Sequence, residues 1–444
     1  MKVLVSAWLC SFIFISAALN IDQFGAISGE SAFHVAIKNG EAFNNAVISA
    51  NTGSDRTVVI SAGKTYWMLP AGTLYNLNNL VINIDGTIIA WGGEEGEWPT
   101  GPNGHVLDLI SIQNTNNLTI QGTGLIEGQG YNWWWKVILT GKDNRPDLLN
   151  IGHSQNTLIQ GITLKNSPQY HAFLFDMYEL IVQDFTVHVD VTDTKDFLEW
   201  LPTFPLNTDG IDISGRNVYF RNLTIQNFDD AVAVKPSHTG QYIYTNCTEN
   251  ILIENSNIKY GVGMSIGSVP PNDNLACVQN ITIRNINFET PLKAVYIKPN
   301  PGTHGQGIIS NILYENLTIN DALWWAIWIG PQQQDQPGGY STGCSFLFPL
   351  PGYKCPTDPL VTVEFITLKD INIYKGVNSP GVLLCNETNP CTNFLFDNVN
   401  VYHRSFFPVP EGYYCSNVQG WAKNSNVYPR CFTKIGEDYP EFLR

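Results

Sequence analysis

An all-β, single-domain parallel β-helix with a short N-terminal capping helix is the fold predicted by three observations. A short strand–turn–strand pattern recurs along the chain, no helical periodicity lies between its copies, and no linker divides them. The pattern is Asn, two residues, an aliphatic, Asn or Gly, then alternating apolar residues. It reads NLTIQGTGLIEG from Asn117, NTLIQGITLKN from Asn156, NVYFRNLTIQN from Asn217, NILIENSNIKY from Asn250, NITIRNINFET from Asn280 and NILYENLTIN from Asn311. FITLKDINIY from Phe365 and NFLFDNVNVY from Asn393 are later copies, and most successive copies begin 23 to 39 residues apart. Repeats at that period mean a solenoid. Two short alternating strands per unit, with neither an intervening helix nor four strands to a blade, disfavour leucine-rich repeats and propellers. In a stack of coils, asparagines at the turns fall above one another and can form side-chain ladders. The first coil has an open edge that needs a cover, and EAFNNAVISA from Glu41 to Ala50 has the apolar spacing of a helix that can supply it.

The ends and the composition bound the rest. Lys2 precedes an apolar run from Val3 to Ile15 that closes in small residues at Ser16, Ala17 and Ala18. This is the pattern of a secretory signal peptide over residues 1–18, leaving 19–444 as one extracellular domain. The run is shorter than the roughly 20 apolar residues a membrane span needs, and no membrane partner is expected. Charged residues make up 14% of the chain and its formal charge is −15, which excludes the basic footprint of a nucleic-acid binder. Of nine cysteines, Cys10 leaves with the signal. The other eight are expected to pair as neighbours, Cys344–Cys355, Cys385–Cys391 and Cys415–Cys431, leaving Cys247–Cys277. N-glycosylation sequons begin at Asn117, Asn222, Asn246, Asn280, Asn316 and Asn386.

Acidic chemistry concentrates at Asn207-Thr208-Asp209-Gly210 and at Phe228-Asp229-Asp230-Ala231. The 20 residues from Asp209 to Asp229 equal about one small coil, so parallel stacking sets the two segments about 4.8 Å apart. Both Asp229 and Asp230 reach one cleft only if the backbone bends between them. Glycoside hydrolysis needs such a grouping: one carboxylic acid protonates the leaving oxygen while another carboxylate activates water or attacks the sugar. Crowded like charges keep one of them protonated.

Across nearly its whole mature length the chain resembles the polygalacturonase family, glycoside hydrolase family 28. The resemblance rests on FGA at Phe24, VVISAGKTY from Val58, GTGLIEGQGYNWWW from Gly122, RPDLL from Arg145 and GITLKNSPQYH from Gly161. NTDGIDISG from Asn207, DDAVAVKP from Asp229, GMSIGS from Gly263 and YIKPNPG from Tyr296 complete it in order. It implies a right-handed β-helix that hydrolyses α-1,4-galacturonosyl bonds of pectin with inversion, using no metal or cofactor. The implied general acid is Asp229, and Asp209 and Asp230 are the water-activating pair. Substrate contacts are expected from Asn207, Gly263, Tyr296 and Lys298, the last matching the lysine of an RIK motif that binds the uronic carboxylate. His171 is either structural or cleft-lining. Two positions depart from the pattern. Val262 stands where a GHG motif has histidine, and Tyr296 stands where RIK has arginine, which removes a forked charged contact to a carboxylate. These departures leave open a rhamnogalacturonan- or xylogalacturonan-type hydrolase, or a non-catalytic pectin-binding homologue. A pectate lyase needs calcium carboxylates and a nearby arginine base, but Arg216 and Arg221 lie inside a repeat strand.

Other candidates read blandly. His304 is expected to be a solvated loop residue, Lys235 the solvated end of a strand, and Trp133–Trp135 a packed loop. One of Trp324, Trp325 and Trp328 is expected to touch substrate. The segment from Asp190 to Phe204 is a candidate cleft wall. A solenoid of this kind buries its core without a partner, so a monomer is expected.

Overall fold

The computed structural model describes residues 18–92, 97–141, 143–192, 205–238, 240, 242–333, 343–378, 380–402 and 412–436. Of the expected signal segment only Ala18 is included, and residues 193–204 of the expected cleft wall lie outside the described residues.

Alternating side chains decide the architecture. In strands such as Val361–Tyr374 and Ile211–Arg221, aliphatic residues point inward and polar residues outward, and each strand pairs in parallel with the equivalent strand of the coils before and after. The described strands from Leu19 to Ile435 join one sheet, and the pairing of Ser237–His238 with Ala276–Cys277 is its antiparallel exception. The molecule is a right-handed parallel β-helix. In-register aliphatic columns fill its interior. Ile211, Val232, Met264, Val295 and Ile327 are successive partners, each 0% exposed. Each such burial contributes about 1.5–3 kcal/mol, and the columns together form one continuous core.

At one corner of each coil the chain turns through a single left-handed residue, usually asparagine: Asn117, Asn156, Asn217, Asn250, Asn280 and Asn311 all have φ between 53° and 60°. Asparagine tolerates that conformation better than other non-glycine residues. Its amide also donates to the asparagine one coil earlier: Asn280 Nδ2 to Asn250 Oδ1 at 2.6 Å, and Asn250 Nδ2 to Asn217 Oδ1 at 3.1 Å. The sequons at Asn117, Asn222, Asn280 and Asn316 are members of such ladders. The wide gap in the repeats between Asn156 and Asn217 holds a further coil, strand Ala172–Gln183, with Glu179 (φ 56°) in the asparagine position.

Helix α1 (Phe33–Thr52) contains the predicted Glu41–Ala50 stretch and extends it by two turns toward the N-terminus. It buries Val35, Phe43, Ala46, Val47 and Ala50, and Asn39 ties it to the first coils through the carbonyls of Ile27 and Trp67. The Trp133–Trp135 run is not a loop but part of helix α2 (Tyr131–Thr140), which buries Trp133 and Trp134. All four disulfides pair as the cysteine spacing predicts. Cys247–Cys277 links adjacent coils, and Cys344–Cys355 staples a loop against an apolar cluster outside the main core.

Replacing Asn250 with alanine removes two ladder bonds and puts in the left-handed region a residue that lacks asparagine's tolerance of it. The expected loss is about 2 kcal/mol, read as a lowered melting temperature. Asn250→Gly, which relieves the conformational part, should lose about half as much.

Candidate active site

Parallel register builds the cleft floor. Asn150, Phe173, Asp212, Ala233, Ser265, Tyr296, Trp328, Val382 and Tyr414 are partners on successive coils, all on the face opposite the aliphatic column. Three residues upstream of each member lies a second row, in which Tyr170, Asp209, Asp230, Val262, Lys293 and Trp325 stand side by side. The partner of Asp209 in this row is therefore Asp230, and Asp229 reaches the same cleft from the bend before it. That bend lies between strands Thr224–Asn227 and Val232–Val234. Buried Asn227 clamps it, with Nδ2 donating to the carbonyls of Thr208, Asp229 and Asp230 at 2.7–3.0 Å. One oxygen of each aspartate lies within 4.8 Å of the others, a spacing that a divalent cation can bridge and that a sugar oxygen and a water can also share.

The three carboxyl groups sit in different fields. Lys298 Nζ lies 2.5 Å from Asp230 Oδ2 and Ser265 donates to Oδ1, so Asp230 is held by a buried charge pair. Asp229 accepts N–H groups from Asn207 (3.2 Å) and Asp230 (3.0 Å). Burial, then the charge of Asp230, pushes its carboxyl up from 3.8 to about 6. Burial likewise lifts Asp209 well above the ordinary range, reinforced by Asp212, Asp229 and Asp230. Burial opposes the charge of Lys235, but Asp212, 3.2 Å away, and the carboxyl groups behind it keep the ammonium protonated. Lys235 is thus a cation of the cleft and not a solvated strand end.

Arg145 and His171 build the site from behind. Arg145, 6% exposed, forks onto Asp143 and donates to the carbonyls of Pro168 and Leu206 and to Asn207 Oδ1. It fixes the segment that leads into Asp209. His171 is wholly buried: Nδ1–H donates to the Asp209 carbonyl at 2.9 Å and Nε2 accepts the Ser167 N–H. Burial lowers its pKa to about 4. Of the two roles expected for it, burial and these bonds fit the structural one: the neutral ring holds the backbone of Asp209.

Three residues expected to contact substrate are buried in the floor. Gly263 is buried, and a β-carbon there would sit 2.4 Å from the Ala294 carbonyl, so the glycine permits close coil packing. Tyr296 is 4% exposed, its hydroxyl accepts the Gln333 N–H, and its ring lies beneath the ammonium groups of Lys293 (4.7 Å) and Lys298 (4.6 Å). Lys298, expected to meet a uronic carboxylate, is 3% exposed and committed to Asp230. Asn207 stays half-buried at the cleft, with its backbone on Asp229 and its side chain on Arg145. Val262, at the position of the motif's histidine, packs against the apolar cluster of Trp328 and Phe348. His304 is a surface residue beside Asp273. Trp325 and Trp328 are buried, leaving Trp324, stacked on exposed Phe346, as the accessible member of the trio.

The crowded acid trio, backed by buried cations and with half-buried Phe173 and Phe175 on neighbouring coils, thus sits on one face of a parallel β-helix, a protein of the solenoid class. The sequence model described as Glycosyl hydrolases family 28 matches residues 68–426, and the chain belongs to that family. It is 24% identical over 387 residues to a polygalacturonase of Chamaecyparis obtusa, covering 82% of this chain and 66% of that protein. It is 26% identical over 274 residues to a probable endo-xylogalacturonan hydrolase A of Aspergillus fumigatus, covering 61% and 62%. The matches therefore span just under two thirds of these relatives' lengths. In fold it is similar to the polygalacturonase from Erwinia carotovora, with a TM-score of 0.64 at 20% identity over 91% of this chain and 96% of that one.

Asp229 holds its proton more tightly folded than unfolded, so its ionisation above about pH 6 destabilises the fold, while below about pH 4 both states are protonated and nothing is lost. Asp229→Asn is expected to raise the melting temperature at pH 7 relative to the parent, with the gain vanishing at pH 4 in a calorimetric series.

Proposed function

We propose that the protein is a secreted, monomeric hydrolase that cleaves α-1,4-galacturonosyl bonds of pectin with inversion. Asp229 acts as general acid, and Asp209 and Asp230 hold and activate the water. The observation that carries this reading is the unequal setting of the trio. Asp229, pushed up to about 6, keeps its proton into mildly acidic medium, while Asp230 lies 2.5 Å from the Lys298 ammonium and accepts from Ser265. Asp229 gives that proton to the glycosidic oxygen as its bond to C1 breaks. The water lodged between Asp209 and Asp230 attacks C1 from the opposite face, forms the new C–O bond and surrenders a proton to the pair. Positive charge developing on the sugar is stabilised by the same carboxylates. The closest oxygens of the trio approach more tightly than the carboxyl spacings that separate retaining from inverting pairs. Inversion therefore rests on the family, and NMR of the first-formed anomer tests it.

The substrate class is supported by relatives named for polygalacturonan and xylogalacturonan hydrolysis. Val262 and Tyr296, with Trp328 beside them, make the floor beyond Asp230 more apolar than the family motifs imply. This favours a xylogalacturonan-type substrate as the second reading. Secretion is supported by the sequence of residues 1–18, and no helix among the described residues is long and apolar enough to cross a membrane.

Incubation with homogalacturonan, xylogalacturonan and rhamnogalacturonan should release reducing ends without an unsaturated product and without sensitivity to chelators. Binding without release from any of the three leaves a carbohydrate-binding homologue in its place. Asp229→Asn should lower kcat by about 10³-fold or more while leaving oligosaccharide binding within a few-fold. Since the acid must carry its proton, kcat/KM should decline about tenfold per pH unit above about 6.

A further inference from the structure

The floor beyond Asp230 carries a charge for which the proposed mechanism has no use. Lys293 stands three residues before Tyr296, as Asp230 stands three before Ala233 and Val262 three before Ser265. It belongs to the row that holds Asp209 and Asp230, two coils further on, at about 10 Å by the spacing of paired strands. That is the reach of a sugar next to the one being cleaved.

Lys293 is 4% exposed, and no hydrogen bond or ion pair to it is found among the described residues. Its ammonium lies 4.7 Å from the ring centroid of Tyr296 and 5.7 Å from that of Trp328. Cation–π contact recovers only part of the cost of desolvating a charge. Burial, then the nearby Lys298, lowers its pKa to about 7, which still leaves it charged in mildly acidic medium. The other lysine of this floor, Lys298, already faces Asp230. The two family positions that carry histidine and arginine hold Val262 and Tyr296, neither of which bears charge. A buried, charged donor with no hydrogen-bond or ion-pair partner among the described residues, two coils from a catalytic carboxylate, is a site waiting for an anion.

We propose that Lys293, cradled by Tyr296 and Trp328, is the carboxylate-binding residue of the subsite beyond Asp230, and that it makes an unesterified uronate obligatory there. It takes over, from a different position in the coil, the role that arginine has elsewhere in the family. The single ammonium binds the uronate as a point charge, without the forked geometry of a guanidinium. The proposal rests on the galacturonan-cleaving reading above.

The test compares wild type, Lys293→Met and Lys293→Arg on an oligogalacturonate and its methyl ester matched in length. Wild type should prefer the free acid. In Lys293→Met the ratio of kcat/KM on acid to that on ester should drop about 10²-fold, mostly through KM, and Lys293→Arg should recover part of it. A folding artefact is controlled by the melting temperature, which should not drop when an unpaired buried charge is removed. A Lys293→Met enzyme that keeps the wild-type ratio, or that slows equally on both substrates, overturns the assignment. If wild type hydrolyses neither substrate, the catalytic reading fails by itself. Calorimetric binding of the free-acid oligomer to wild type and Lys293→Met then decides the subsite: weaker binding by the variant supports it and equal binding overturns it.

Discussion

Backbone pairing between coils in parallel register, interrupted by a few bulges, is the constraint from which the remaining features descend. Each coil contributes one residue to every row, so a functional group is located by its coil and by its offset from the inward aliphatic column. Asp209 and Asp230 meet because Ile211 pairs with Val232. Had that pairing slipped by one residue, an aliphatic side chain would stand in the cleft and a carboxylate in the core, at a cost of several kcal/mol. The hydrophobic column therefore enforces the acid trio as firmly as any contact within the trio itself.

Register delivers the carboxyl groups to one place, and the surroundings make them unequal. Asp230 receives a lysine and a serine, Asp229 receives two backbone N–H groups, and Asp209 is left mainly with burial and repulsion. Such a cluster is unfavourable to folding, and the scaffold offsets it from behind: Arg145 anchors the chain entering Asp209, His171 holds its carbonyl and Asn227 clamps the bend at Asp229. All three act on the backbone and none needs to touch a sugar.

The sequence displays the solenoid well because its two strongest signals, alternating aliphatics and corner asparagines, are local. The coil at Ala172–Gln183 lacks that sequence signal because Glu179 replaces the asparagine, although the backbone adopts the same left-handed turn. The trio could be read from its spacing, but the fate of its neighbours could not. His171 reads equally as structural or cleft-lining until its ring is seen buried between the Ser167 N–H and the Asp209 carbonyl, and Tyr296 looks like a surface replacement until it is seen packed with Trp328 and the Cys344–Cys355 loop. These outcomes depend on contacts remote in the chain. Lys293 is a different case. Its offset from Tyr296 equals that of Asp209 from Asp212, so a row-by-row reading of the repeat would have placed it in the groove.

The coils are unequal in length: partners are 23 residues apart between the strands at Leu149 and Ala172, 39 between those at Ala172 and Ile211, and 21 between Ile211 and Val232. The intervals differ, yet the inward aliphatic partners Ala172, Ile211 and Val232 still meet in parallel. Reaction geometry and groove shape are thereby inherited separately, one written in the strands and the other in the excursions between them. A lineage can lengthen, shorten or exchange its excursions to suit new side branches on a polymer while the acids at the centre keep their positions.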